Sequence, residues 1–136
     1  MGAKYRTPSE KSIYYINKDY YVAAVRYALQ YKSWVGEMKT SADTSAAIRY
    51  DKEKVQTSGG YDSTSETAIR RAEIAAKIKM VDDILAEVAP GLDNYIKLSV
   101  CYGFTYYQLI ERGMPINRNQ YSILRQHFYY ELSRRI

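Results

Sequence analysis

The chain contains one cysteine, Cys101, so neither an internal disulfide framework nor a cysteine-built zinc site can form. Cys101 is expected to serve as a small apolar group on a helix, in a reducing compartment. There is also a single histidine, His127; without a second ligand near it in the sequence it is assigned no chemistry, and no metal site is expected. No Ser, His and acid stand at a recognisable catalytic spacing, and Ser58-Gly59-Gly60 is too short for a phosphate-cradling loop. The chain is therefore read as a non-enzyme with no catalytic residue and no cofactor. No apolar run approaches the ~18 residues that cross a membrane, and the N-terminus lacks a signal-peptide core, so the cytoplasm is the expected compartment.

Among aromatics the chain has only 2 Phe and 1 Trp, against 16 Tyr. A tyrosine can bury its ring and leave its hydroxyl wet, so this composition implies a thin core with many half-buried rings. The net charge of +5 is unevenly spread. Residues 1–39 hold 7 Lys/Arg against 3 acids, and residues 104–136 hold 5 against 2. Residues 40–66 are acidic, with 3 against 5, and residues 67–103 balance at 5 each. A positive C-terminal end is the electrostatic footprint of a nucleic-acid binder, although many solvated helix faces share it.

The hydrophobic periodicity is helical throughout, and the fold class is read as all-α with no credible strand pair. A basic, loosely held tail to about Ile16 is followed by a helix from Lys18 to Met38, with Tyr21, Val25, Ala28 or Leu29, Lys32 and Val35 on one stripe. Residues 40–67 are polar and rich in Ser, Thr and Gly, the composition of a linker; a short helix over 45–53 is a weaker expectation. A long helix then starts near Ser65 or Thr67 and runs to Val88. Its residues Ile74, Ile78, Val81, Leu85 and Val88 alternate steps of four and three, as in a coiled-coil seam. Internal packing on the first helix is the favoured use of that seam; a homodimer through the 67–88 helix is the alternative. Pro90-Gly91 ends this helical pair, which sets one domain at 1–89 and a C-terminal three-helix unit at 90–136.

That C-terminal unit carries the functional signal. A helix from Leu92 or Asp93 stops at Gly103, and two capping boxes follow, Thr105 with Gln108 and Asn117 with Gln120. Helix starts a dozen residues apart, with Gly113 and Pro115 between them, describe a helix-turn-helix. In its second helix Tyr121, Leu124, Phe128 and Leu132 form the packing stripe. The opposite side carries Arg118, Asn119, Ser122 and Arg125, residue types that read base edges or hold phosphates. Arg112, Arg134 and Arg135 are candidate contacts to the phosphate backbone.

The segment from Leu92 to Leu132 resembles region 4 of sigma-70 factors, whose pattern is a Leu-Thr-Tyr opening, a Gly-Ile-Ser turn and an Arg-bearing recognition helix. Phe104-Thr105-Tyr106 matches the opening, and Ile116-Asn117-Arg118 matches the turn and helix start. Tyr121, Leu124 and Phe128 fall on the core positions. The upstream layout is similar to small phage transcription regulators of the RinA and ArpU type, with 47–52 and 55–58 resembling their linker phrase. The turn here departs from the sigma pattern by an extra residue and Pro115, which implies a different angle of approach for the second helix. Ile123, Arg125, Gln126 and His127 replace the usual run of arginines, which implies fewer phosphate contacts.

The resemblance implies a phage or prophage transcription regulator that binds double-stranded DNA in a bacterial host cell, in concert with RNA polymerase or as a dimer. The alternative is a helical interaction module without DNA contact. It would use the tyrosines at 14, 15, 20, 21, 27, 31, 129 and 130 against polymerase or another phage protein.

Overall fold

The computed structural model describes residues 8–40 and 60–136, and side chains from residue 65 onward in the second stretch. All regular structure among these residues is helical. The expected short helix over 45–53 and the linker phrase over 47–58 lie outside the described residues.

Helix α1 (Lys18–Leu29) begins at Asn17, whose side chain accepts from the Asp19 amide at 2.9 Å. The single helix expected from Lys18 to Met38 is divided. Gln30 leaves the α-helical bonding pattern with its N–H reaching back three residues to Tyr27 at 3.1 Å, and α2 covers the described residues 31–40. The buried side is also shifted from the expected stripe: Tyr21, Ala24, Ala28, Tyr31 and Trp34 are buried, whereas Lys32 and Val35 are exposed. The large rings at 31 and 34 take the inner positions, since burying them removes more apolar area than burying Leu29 or Val35.

Helix α3 (Gly60–Val88) starts well before Ser65. Ser and Thr lower helix stability only modestly, so extending a helix already nucleated by the 67–88 segment is inexpensive. Helices α4 (Asp93–Tyr102), α5 (Tyr106–Glu111) and α6 (Arg118–Ser133) follow. Gly103, at φ 76°, closes α4 in the left-handed conformation that a side chain would disfavour.

The chain divides into two units, Met1–Tyr31 with Val81–Ile136, and Lys32–Met80. Within the first unit α1 packs against α6 and α4. Ala24 and Ala28, fully buried, supply the small side chains that let α1 approach closely. In the same unit Val81, Ile84, Leu85 and Val88 are buried, as are Ile96, Val100, Leu109, Phe128 and Leu132. Tyr31 donates to Asp82 Oδ1 at 2.9 Å, and Lys97 Nζ reaches the same oxygen at 2.8 Å, tying α3 to α4 at the edge of this core. The seam residues of α3 are thus largely consumed by burial within the chain; of the five, only Ile78 is half-exposed.

In the unit Lys32–Met80, Ile74 and Trp34 are buried, Lys77 Nζ lies 5.7 Å from the Trp34 ring, and Arg70 forks onto Glu37 at 3.0 and 3.3 Å. No helix among the described residues is long and apolar enough to cross a membrane.

Candidate nucleic-acid interface

Both capping boxes form. Thr105 accepts from the Gln108 amide at 3.2 Å while Gln108 Oε1 accepts from the Thr105 amide at 2.8 Å. Asn117 Oδ1 accepts from the Gln120 amide at 2.8 Å, and Gln120 Oε1 from the Asn117 amide at 3.2 Å. These reciprocal bonds satisfy amides that would otherwise need water, and they set where α5 and α6 begin.

The connection between the two helices is held at several points. Gly113, at φ 95°, turns the chain and donates to Ile110 at 3.0 Å, and the Met114 amide donates to Leu109 at 3.1 Å. The Met114 side chain is buried. The Tyr106 hydroxyl donates to the Ile116 carbonyl at 3.3 Å, and its ring lies 5.3 Å from that of Tyr121. Tyr95, from α4, donates to the Arg112 carbonyl at 3.5 Å. Both α5 and α6 pack on α4, where the Ser99 and Tyr121 hydroxyls share a buried hydrogen bond of 2.6 Å.

The predicted face is only partly assembled. Arg118 and Asn119 are exposed in the first turn of α6, and Ser122, half-buried, accepts from Gln126 Nε2 at 3.3 Å. The Arg118 guanidinium lies 5.3 Å from the Tyr106 ring and 5.0 Å from the Tyr107 ring. Contact with two rings restrains a side chain that would otherwise sample many rotamers, without neutralising its charge. Arg112 is exposed over the Phe104 ring at 4.8 Å. Among the described residues neither Arg112 nor Arg118 makes an ion pair.

Arg125 does not share the open side with them. It is half-buried, with its guanidinium 5.6 Å from the rings of both Tyr121 and Tyr129, and its Nε is buried without a hydrogen-bond partner. The periodicity of α6 alone places Arg125 in line with Arg118 and Ser122. What it omits is the packing of α1 along α6, with Tyr21 5.2 Å from Tyr129, which covers that side. Arg135 is engaged with Glu87 at 3.0 Å and lies 3.8 Å from Glu131, while Arg134 lies 3.9 Å from Glu131 and over the Tyr130 ring. Of the five arginines in the C-terminal segment, Arg112 and Arg118 are thus left exposed without an ion pair among the described residues.

Two other side chains take places that helical spacing alone does not specify. His127 stacks on Tyr14 with centroids 4.5 Å apart, and Tyr14 also meets Tyr130 edge-on at 5.8 Å. Tyr14 therefore ties the described stretch 8–17 to α6, and the Ser9 and Ser12 carbonyls accept turn bonds from Ser12 and Tyr15. Tyr107, 66% exposed beside Arg118, was not singled out by the sequence; its place two residues after the Thr105 cap, inside the α5 capping box, is the signal that could have marked it.

Comparison of the chain with family models, with characterised proteins and with solved structures finds no match.

Proposed function

We propose that α4, α5 and α6 form a helix-turn-helix head that reads double-stranded DNA, in a transcription regulator of the phage type described by the sequence resemblance. The observation that carries this reading is the exposed, un-ion-paired Arg118 at the capped start of α6, extended across Tyr106 and Tyr107. Arg118 and Asn119 are the base-reading or phosphate-holding residues, with Ser122 one turn further on. Arg112, and Tyr107 through its hydroxyl, serve the phosphate backbone from the α5 side. Arg134 and Arg135 are left out of the contact set because Glu87 and Glu131 already engage them.

Two free arginines are few. Each phosphate neutralised contributes a slope of about −0.9 to log K against log salt, so a head with two such cations binds with a slope of about −2 and gains from a partner such as RNA polymerase. The measurement is fluorescence anisotropy of a labelled mixed-sequence duplex across a salt series. Arg118→Ala should weaken binding and flatten the slope by about 0.9, whereas Arg135→Ala should leave the slope unchanged. Equal slopes for wild type and Arg118→Ala would remove Arg118 from the interface.

A second reading, docking on a protein without DNA contact, is favoured by the exposure of Ile13 (80%) and Tyr20 (66%) beside and within α1. Such an interface would respond little to salt.

A further inference from the structure

We infer that Arg125 is a positioning residue of the reading head, fixing how α6 is presented, rather than a residue that meets DNA; this rests on the DNA-reading proposal above. A buried guanidinium is ordinarily held by a carboxylate, because desolvating an unpaired charge is costly. Arg125 makes no ion pair among the described residues. Its surroundings are aromatic: Tyr121 one turn before it, Tyr129 one turn after it, each ring 5.6 Å away, and Tyr21 of α1 set edge-on to Tyr129. Burial pushes the hydroxyls of Tyr21 and Tyr129 above their ordinary range, so both phenols stay neutral at physiological pH and supply no anion to pair with the guanidinium.

Each ring leads to a different helix. Tyr21 belongs to α1, Tyr129 is buried in α6, and Tyr121 hydrogen-bonds Ser99 of α4 at 2.6 Å. One planar cation thus sits where three helices converge, two turns along α6 from Arg118. Because the helix between them is continuous, a rotation of α6 about its axis at Arg125 carries Arg118, Asn119 and Ser122 with it. Lysine is a poor substitute here, since a compact, strongly hydrated ammonium lacks the planar, weakly hydrated guanidinium that lies near both rings.

The test compares wild type with Arg125→Met, Arg125→Lys, Tyr21→Leu and the Tyr21→Leu/Arg125→Met double variant. It records affinity for a labelled mixed-sequence duplex across a salt series, together with amide 1H–15N spectra of the free proteins. Arg125→Met and Arg125→Lys should each weaken binding by roughly three- to tenfold with an unchanged salt slope, and shift the amides of Arg118, Asn119 and Ser122. The double variant should lose no more than about as much as the worse single variant, as expected of residues acting through one site.

The inference is overturned if Arg125→Met flattens the slope as Arg118→Ala does, or if Arg125→Lys binds like wild type. It is also overturned if the α6 amides stay in place. If wild type binds no duplex, the DNA reading fails on its own. The positioning role is then decided by the amide shifts at 118, 119 and 122: upheld if they move, overturned if they do not.

Discussion

Ser99 and Tyr121 join α4 to α6 through a hydrogen bond of 2.6 Å between two buried hydroxyls. A serine is an unusual choice for the inner face of a helix otherwise lined by Ile96, Val100 and Cys101, and Tyr121 explains it. The phenol needs a partner when its ring is buried, and the Ser99 hydroxyl is the group within reach. The bond also sets the depth of α6 against α4, on which the presentation of Arg118 depends.

Tyr121→Phe and Ser99→Ala each strand one hydroxyl partner and should destabilise the protein by about 1–2 kcal/mol. The double variant removes both polar groups and should cost less than the two singles together. Urea unfolding of the four proteins measures this; additive losses would show that the two hydroxyls do not depend on one another.

Asn117→Ala removes the acceptor for the Gln120 amide and should cost about 1 kcal/mol, with Asn117→Asp restoring most of it. Because α6 carries Arg118 in its first turn, the same variant should weaken duplex binding. Amide exchange at Asn119 and Gln120 reports the loss directly, and unchanged protection there would contradict it.

Much of this local design is legible in the sequence. A capping box is a reciprocal bond between residues three apart, so Thr105 with Gln108 and Asn117 with Gln120 reveal themselves without any tertiary information. Gly103 likewise marks a chain reversal that one residue type performs best. The fate of Arg125 was not legible, because helical spacing gives an angle around an axis and cannot say whether solvent or α1 lies at that angle. Tyr121 and Tyr129, four residues to either side, were the available hint that a guanidinium could stack inward. The burial of Tyr31 and Trp34 in place of Val35 was hidden for a related reason: the wheel positions are adjacent, and side-chain size decided between them.

Stability should fall on the alkaline side. Burial pushes the Cys101 thiol up to about 12 and the Tyr129 hydroxyl up to about 12. Burial opposes the charge of Lys97, but its bonds to Asp82 and Tyr31 outweigh that and raise its pKa above the ordinary lysine value. A group whose folded pKa is raised contributes stability that is complete below its unfolded pKa and is lost as pH climbs toward the folded value. The decline should therefore begin near pH 9 with Cys101 and steepen above about pH 10 as Tyr129 and Lys97 join. In the first interval the loss is on the order of 1 kcal/mol per pH unit. Cys101→Ala should abolish that early phase and keep the later one; unfolding free energies from about pH 8 to about pH 11 measure it. An identical early decline in Cys101→Ala would assign it to another group.

The claim that α6 reads DNA is tested most directly by selection from a random duplex library, run with the protein alone and again with RNA polymerase. Enrichment of a defined motif is expected, weak with the protein alone and stronger with polymerase, and lost in the Arg118→Ala/Asn119→Ala variant. Enrichment that is absent under both conditions, or that persists unchanged in that variant, would contradict it.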